Sequence, residues 1–383
     1  MKVLFAYNQH RGGGGSNNAT RATIDVVGAA GVEVEVFTRS SKDLPPNFRG
    51  RLQAGVSAIY APESVRSFTR QLDAFRPDVV HAYELFPLVS PWILPECTRR
   101  GIPVVMSTDD FRFTCPVRTH LRDGRICTEC VGGHEYRAIL HNCRDNLTES
   151  IVLSAYNAMV RKLRLVSDHV TTFIAPSDFA SRWLIEHAQV QPGRVSILPP
   201  VVQIPAQAAD PGAGGYVGFA GRFVAEKGIA TFVEAARLTG LPFHLSRNES
   251  YFVTVDLPGD VEVVVTRDRQ GLDAFYRGAR MIVLPSLWFE TFGLSAAEAM
   301  AHGIPVVGSR IGAIAELIDD GVDGLLFEMG DARDLAAKVS RLWADTALCR
   351  RLGEAARAKA SRWERSRHIQ RLLAIYEGAL AKR

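Results

Sequence analysis

Residues 281–309, MIVLPSLWFETFGLSAAEAMAHGIPVVGS, carry the strongest structural signal in the chain. They read as a buried strand, a short loop, a helix and a second buried strand, which predicts a parallel sheet covered by helices. Glu290 lies in the loop and Glu298 inside the helix, so two carboxylates bracket a helix N-terminus. The first N–H groups of a helix lack intrahelical partners and bind anions. A ligand with a phosphate and sugar-like hydroxyls fits this pattern; a pair of surface glutamates beside an ordinary turn is the alternative.

A second segment, VGFAGRFVAEKGIATFVEAARL (217–238), places two cations at the end of a predicted strand. Arg222 follows the strand directly, and Lys227 opens the next helix together with Gly228. Ligands of open α/β sheets bind at the carboxyl ends of the strands. Fixed cations there stabilise a diphosphate leaving group more in the transition state than in the ground state. Solvated surface charges are the alternative, and it is the weaker one because a cation at a helix N-terminus is unfavourable for the helix dipole.

Together these segments resemble the retaining GT-B glycosyltransferases of family 4, the glycosyl transferases group 1. The resemblance rests on GRFVAEKG (221–228), on the E-x7-E from Glu290 to Glu298, and on a glycine-rich first turn. It implies transfer of a sugar from a nucleoside diphosphate donor with retention at the anomeric carbon. By matching position, it implies that Arg222 and Lys227 hold the diphosphate and that Glu298 binds the donor ribose.

The resemblance extends to the remaining donor-binding residues. It implies that Glu290 and the backbone amides of Phe292, Gly293 and Leu294 bind the donor sugar and phosphate. Four consecutive glycines occupy positions 12–15, and by spacing Gly14 and Gly15 match the double glycine of the family, which lies across the cleft from the donor diphosphate. An ordinary surface loop is the alternative for this run.

The strand IPVVMST (102–108) is followed by Asp109, where many members of the family carry a histidine. A carboxylate accepts hydrogen bonds from hydroxyls, so Asp109 is predicted to recognise the sugar or the acceptor; a turn role is the alternative. Glu290 and Asp109 are the candidate catalytic residues. His81 is another candidate at a strand end, although a lone histidine there is more often structural. The segment HLSRNESYFV (244–253) lacks the glycine-rich turn usual in the family, so no base-contacting residue is predicted.

The length of 383 residues predicts two domains, because single hydrophobic cores stop growing below this size. Short apolar runs alternate with helical stretches on both sides of a linker rich in proline, alanine and glycine. The predicted fold is α/β and GT-B: two doubly wound Rossmann-like domains facing across a cleft, with a C-terminal helix crossing back to the first domain. The predicted divisions are an acceptor-binding domain (1–200) with a cysteine-rich insertion (109–150), a linker (201–215), a nucleotide-sugar-binding domain (216–365) and the crossover helix (366–383).

The predicted strands of the two halves are apolar runs of five to seven residues. Before the linker they are KVLFAY, VEVEVFT, VSAIY, DVVHAY, IPVVMST, VTTFIAP and RVSILPP; after it they are YVGFAG, PFHLS, VEVVV, MIVLP, IPVVG and DGLLF.

Composition and charge exclude several classes of protein. Hydrophobic residues make up 47 % of the chain and charged residues 22 %, which is typical of a globular protein. No apolar run is long enough to cross a bilayer, and the N-terminal residues show no signal-peptide pattern, so a cytoplasmic location is expected. The net charge of +4 is too slight to predict nucleic-acid binding. The small basic cluster of Arg161, Lys162 and Arg164 leaves peripheral contact with a membrane surface open. No Asp-x-Asp occurs, so no catalytic metal or other cofactor is expected.

Four of the six cysteines fall in the insertion, as Cys115-x11-Cys127-x2-Cys130-x12-Cys143. Without an export signal, disulfides are not expected. Four thiolates could hold a structural zinc, with His120, His134 or His141 as substitute ligands. Free thiols and a redox pair are the alternatives.

We therefore predict a retaining transferase that moves a sugar from a nucleoside diphosphate donor (UDP, GDP or another) to a hydroxyl acceptor. The acceptor would be a glycan, a lipid-linked molecule or a small molecule, bound by the first domain. Two alternatives remain: a nucleotide-sugar epimerase of the same fold, and a catalytically silent subunit that binds a nucleotide sugar.

Overall fold

The computed structural model describes residues 1–9, 15–45, 48–247, 257 and 261–382; Gly14, Asn248 and Glu249 lie outside these ranges. The chain divides into two compact units. The first comprises Met1–Arg122, Cys127–Pro199 and His368–Arg383, and the second comprises Asp123–Ile126 and Pro200–Arg367.

The described parts of the chain contain strands β1–β14 and helices α1–α14. The strands are β1 (Lys2–Gln9), β2 (Glu33–Ser40), β3 (Val79–Ala82), β4 (Val104–Ser107), β5 (Leu121–Arg122), β6 (Arg125–Ile126), β7 (Thr172–Ala175), β8 (Val195–Ile197), β9 (Tyr216–Ala220), β10 (Phe243–Arg247), β11 (Val261–Val265), β12 (Ala279–Leu284), β13 (Val306–Ser309) and β14 (Gly324–Phe327). The helices are α1 (Gly15–Ala29), α2 (Phe48–Ile59), α3 (Pro62–Phe75), α4 (Ile93–Arg99), α5 (Arg137–Leu140), α6 (Leu147–Lys162), α7 (Asp178–His187), α8 (Ile229–Thr239), α9 (Arg269–Gly278), α10 (Leu294–Ala301), α11 (Ile314–Leu317), α12 (Ala332–Ala344), α13 (Thr346–Ala360) and α14 (Arg365–Leu380).

Each unit is built on a parallel sheet. Within the described ranges, six strands of the first unit pair in the order β2-β1-β3-β4-β7-β8, and six of the second in the order β11-β10-β9-β12-β13-β14. Central strands such as β3 and β13 are buried throughout, as expected when helices cover both faces of a sheet. The α/β class and the doubly wound domains predicted from the sequence are confirmed.

One predicted strand is wrong. The run VSAIY (56–60) is not a strand, because residues 56–59 form the end of α2. In the sequence, Leu52, Val56 and Ile59 recur at helical spacing, and a short apolar run taken alone cannot distinguish a helix from a strand.

From His368 onward, the last helix, α14, belongs to the first unit. Leu372, Tyr376 and Ala379 on α14 are fully buried and share a core cluster with Val3 and Phe5 of β1. The predicted return of the C-terminal helix to the first domain is therefore confirmed.

Among the helices of the described ranges, none combines the length and apolar character that a bilayer crossing needs.

Candidate functional site

Two loops of the second unit meet at the carboxyl ends of their strands. They are residues 221–228 after β9, called the β9 loop, and residues 285–293 after β12, called the β12 loop. Gly228, at the end of the β9 loop, has φ +72°, and a Cβ added to it would lie 1.7 Å from the carbonyl oxygen of Pro285. Only glycine permits both this backbone conformation and this approach. The backbone N–H of Leu287 also donates to the carbonyl of Glu226 at 2.9 Å. Sequence and sterics together fix the β9 loop against the β12 loop.

The indole of Trp288 lies beside both the predicted cations and the first glutamate. The Arg222 guanidinium is 5.9 Å from the ring centroid, and the Lys227 ammonium is 5.3 Å from it. The indole N–H donates to Oε1 of Glu290 at 2.9 Å. The structure thus brings Arg222, Lys227 and Glu290 together around one aromatic ring.

Glu290 is buried and ion-paired. Its Oε1 accepts from the Lys227 ammonium at 2.6 Å and from the Ser286 hydroxyl at 2.7 Å, in addition to the indole N–H. Burial acts to raise the pKa of Glu290, but the Lys227 charge and the hydrogen bonds outweigh it, so the pKa lies below its ordinary value. Glu290 is therefore a carboxylate at neutral pH, and Lys227 is held by it.

The helix after Glu290 begins close to the predicted anion site. Helix α10 starts at Leu294, and Gly293 precedes it with φ +93° and no side-chain cap. The first unpaired amides of α10 are therefore those of Leu294 and the residues after it, whereas Phe292 and Gly293 lie before the first turn. The Phe292 side chain is buried and packs edge-on against Trp363, with ring centroids 5.4 Å apart.

Glu298, in the middle of α10, is also held by donors. Arg269 Nη1 lies 2.6 Å from Oε1, and the Tyr276 hydroxyl lies 3.1 Å from Oε2. Burial and the Glu298 charge raise the pKa of Tyr276 well above its ordinary value, so its hydroxyl stays protonated and donates.

Asp109 lies in the first unit, two residues after the end of β4. Burial raises the pKa of Tyr83 to about 12, and the charge of Asp109 acts in the same direction. Of the two predicted glycines, Gly15 is the first residue of α1, and Gly14 lies outside the described residues.

Beside Asp109 lies a charged cluster that the sequence did not reveal. Arg112 Nε is 2.8 Å from Glu84 Oε1, and Arg118 is 3.3 Å from Glu84 Oε2. Burial and Glu84 raise the pKa of Asp110 to about 6, while the two arginines act in the opposite direction. Glu84 and Asp110 follow the adjacent strands β3 and β4, so sheet order was the missing information.

His81 is a structural residue. It is fully buried, its Nδ1 lies 2.7 Å from the Tyr376 hydroxyl, and its Nε2 lies 2.9 Å from the Ser107 hydroxyl. Burial lowers the pKa of His81 to about 3, so the ring is neutral. The structural alternative given above for His81 is the one that the structure supports.

The four clustered cysteines are free thiols in the structure. Cys115 is buried, and burial together with the thiols of Cys115, Cys143 and Cys127 raises the pKa of Cys130 to about 12. Over the described ranges, which include all four, no group of three or more histidine, cysteine, aspartate or glutamate side chains is arranged to hold a metal ion. The structural zinc stays a prediction.

Comparison with known sequences agrees with this geometry. The family described as "Glycosyl transferases group 1" matches residues 214–345, and the "Glycosyl transferase 4-like domain" matches residues 14–200. The chain belongs to the group 1 glycosyltransferases. Both of its units are thus accounted for by domains of this family.

Curated relatives of this group 1 chain include D-inositol 3-phosphate glycosyltransferases. The protein from Nocardiopsis dassonvillei is 28 % identical over 248 residues, which cover 55 % of this chain and 56 % of that protein. The alignment thus spans little more than half of that relative. The protein from Arthrobacter sp. FB24 is 25 % identical over 409 residues, covering 93 % of this chain and 88 % of that one.

Solved structures show that the fold is GT-B. Sucrose-phosphate synthase from Thermosynechococcus elongatus superposes with a TM-score of 0.73 at 18 % identity, over 100 % of both chains. Anabaena HepE, solved with UDP-glucose, gives a TM-score of 0.66 at 18 % identity, over 99 % of this chain and 100 % of that one.

Several residues of the site were missed by the sequence analysis. Ser286 and Trp288 precede Glu290 by four and two residues, so the loop sequence itself carried a signal for them. Arg269 and Tyr276 are seven residues apart on α9 and therefore share a face. Nothing in the sequence showed that this face meets Glu298.

Proposed function

We propose that this chain transfers a sugar from a nucleoside diphosphate sugar to a hydroxyl acceptor, with retention at the anomeric carbon. The observation that carries the proposal is the convergence of Arg222, Lys227 and Glu290 around Trp288, at the start of α10. The HepE structures with UDP and with UDP-glucose support a sugar nucleotide as the donor class.

The ion pair with Glu290 is compatible with a phosphate-binding role for Lys227. An ammonium has three N–H donors, and Glu290 accepts from one of them. The other two can donate to phosphate oxygens, while the Glu290 carboxylate fixes the position of the ammonium before the ligand arrives. Arg222 and the amides at the start of α10 supply further donors for the same charge.

The reaction exchanges one bond at the anomeric carbon. The bond from this carbon to the diphosphate oxygen breaks, the bond to the acceptor oxygen forms, and the acceptor proton passes to the leaving phosphate. Cations around the leaving group stabilise the charge that develops on it. We propose that this stabilisation comes from protein groups without a catalytic metal or other cofactor, with Asp109 recognising sugar or acceptor hydroxyls.

The acceptor and the cellular location are proposed as broad classes. The relatives named D-inositol 3-phosphate glycosyltransferases favour phosphorylated polyols as the first acceptors to test. A glycan or a lipid-linked acceptor, a cytoplasmic location and peripheral contact with a membrane surface remain proposals from the sequence.

The experiment is a thermal-shift screen of nucleoside diphosphates and their sugars, followed by product analysis with a panel of hydroxyl acceptors. A ligand at 100 times its dissociation constant stabilises a fold by about 2.7 kcal/mol, so donor binding is measurable before the acceptor is known. Transfer with retention, seen by NMR of the product and undiminished by EDTA, is the expected result. Interconversion of the donor sugar without an acceptor would show an epimerase, and donor binding without turnover would show a silent subunit.

A further inference from the structure

The carboxylate of Glu298 is held at both oxygens by one helix. Arg269 Nη1 lies 2.6 Å from Oε1, and the Tyr276 hydroxyl lies 3.1 Å from Oε2. Both donors are on α9, two helical turns apart, so they project from the same face. An unrestrained glutamate side chain would sample several rotamers, and these two contacts select one orientation.

The two donors are themselves fixed. Tyr276 is fully buried and cannot swing away from Glu298. Arg269 Nε lies 2.9 Å from Oδ1 of Asp273, one turn further along α9. His302, also fully buried, lies with Nδ1 2.7 Å from the backbone carbonyl of Glu298 and with Nε2 3.2 Å from Asp273 Oδ1. The orientation of the carboxylate is therefore set by packing.

We propose that Arg269 and Tyr276 are positioning residues that orient Glu298 to accept hydrogen bonds from the two adjacent hydroxyls of a ribose. A carboxylate has about four acceptor sites, and the two donors occupy one on each oxygen. The sites that remain are one on each oxygen, which matches the two neighbouring hydroxyls of a ribose and not a single hydroxyl. This inference rests on the proposed function, because it takes a nucleoside diphosphate as the ligand.

The test measures discrimination between ribose and deoxyribose. Wild-type protein and variants are titrated calorimetrically with UDP and 2′-deoxy-UDP, and with GDP and 2′-deoxy-GDP. Hydrogen bonds to a charged group are strong, so wild type should bind the ribonucleotide of its preferred base about tenfold more tightly than the deoxy form. In Tyr276→Phe and Arg269→Met this ratio should fall to about threefold or less, with the affinity for the deoxy form nearly unchanged. Arg269→Lys, which keeps the charge but not the planar geometry, should give an intermediate ratio.

Matched variants separate positioning from a loss of structure. Tyr216→Phe removes another hydroxyl of the same unit, one that donates to the carbonyl of Phe275, and should keep the wild-type ratio. Arg310→Met removes an arginine that pairs with Asp320 and Glu328 instead, and should also keep it. If Tyr276→Phe fails to fold, the half-exposed Arg269 still provides two variants.

The possible results separate the positioning role of Arg269 and Tyr276 from the proposed function. If wild type binds none of the nucleoside diphosphates of the thermal-shift screen, the proposed function fails, and the positioning role with it. If wild type binds but does not discriminate, or if the variants keep the wild-type ratio, the positioning role is overturned and the proposed function stands. An equal loss of affinity for both forms would show a merely structural role and would also overturn it.

Discussion

Lys227 and Glu290 form the pair on which the proposed donor site depends. The ammonium and the carboxylate are both largely buried, with side-chain exposures of 15 % and 10 %. Removing one member of a buried pair leaves the other uncompensated, so the effect of a substitution exceeds the energy of a single contact.

Replacement of the cation tests its role in catalysis. We expect Lys227→Ala to lower kcat/KM at least tenfold, about 1.4 kcal/mol of lost transition-state stabilisation, because a donor to the leaving group is removed. Glu298→Ala should have an effect of at least the same size through loss of ribose binding. The measurement is steady-state kinetics with the donor found by the screen.

Lys338→Ala is the control, since Lys338 is a lysine of the same unit that lies 3.9 Å from Asp334. Its kcat/KM should match wild type. Wild-type turnover in Lys227→Ala would remove the cation from the mechanism.

Trp288 contributes in two separable ways, through its N–H and through its ring. Trp288→Phe loses the hydrogen bond to Glu290 but keeps an aromatic face for the cations, and we expect kcat/KM to fall about tenfold. Trp288→Leu loses both contributions and should fall further, since a cation–π contact contributes about 0.5–2 kcal/mol.

Trp343→Phe is the matched control, because Trp343 stacks with Arg280 elsewhere in the same unit. It should keep full activity. Equal activities of the Phe and Leu variants at Trp288 would show that the ring does not act on the cations.

At the scale of elements, the second unit depends on the close approach of the β9 and β12 loops. In Gly228→Ala, the added methyl group would lie 1.7 Å from the carbonyl oxygen of Pro285 and would clash with it. We expect a loss of at least about 3 kcal/mol in the free energy of unfolding, together with loss of donor binding, as the loops are forced apart. Chemical denaturation followed by tryptophan fluorescence measures it.

Gly240→Ala provides the comparison, because Gly240 has φ +62° and no heavy atom within 4 Å of an added Cβ. That variant carries only the left-handed backbone cost, about 1 kcal/mol. If both variants lose the same stability, the approach to Pro285 is not what requires glycine.

The cysteine-rich segment is a second element that can be tested directly. The zinc prediction expects about one zinc per chain in protein purified without chelators, measured by plasma mass spectrometry. It also expects Cys127→Ser to lose the metal and Cys97→Ser, at a buried cysteine outside the segment, to keep it. Substoichiometric metal with titratable thiols would contradict the prediction.

At the scale of the whole molecule, acid should weaken the first unit. Burial lowers the pKa of His81 to about 3 and those of His120 and His368 to about 4. The folded pKa of each lies below its unfolded value of about 6.5, so the stabilisation is complete above pH 6.5 and is lost as the pH falls. At pH 5, each of these histidines should lower the free energy of unfolding by about 2 kcal/mol relative to its value above pH 6.5. Asp110, with a pKa raised to about 6, acts in the opposite direction and offsets part of the loss.

The measurement is thermal unfolding between pH 7.5 and pH 5. His81→Gln should reduce the pH dependence by about the share of one histidine. His134→Gln, at an exposed histidine, should leave it unchanged. A wild-type stability that does not change over this range would contradict the assignment of neutral buried rings.

The sequence was sufficient for the sheets and for the residues of single loops. Apolar runs such as MIVLP and IPVVG became the buried strands β12 and β13, because strands covered on both faces are apolar throughout. The prediction of a strand for VSAIY was wrong because a short apolar run is compatible with a helix as well as with a strand. The pairing of Lys227 with Glu290, and of Arg269 with Glu298, joins residues 63 and 29 positions apart. Such contacts depend on strand order and side-chain rotamers, which no local pattern encodes.

The first unit is discontinuous along the chain, and this has a consequence for biosynthesis. Residues 3 and 5 at the beginning of the chain share a core with Leu372 and Tyr376 near its end. During translation, the sheet of the first unit therefore leaves the ribosome with one apolar surface uncovered, and that surface is closed only after residues 372–379 have been made. The second unit, almost all of it contiguous in sequence, can mature earlier, so the part synthesised first is completed last.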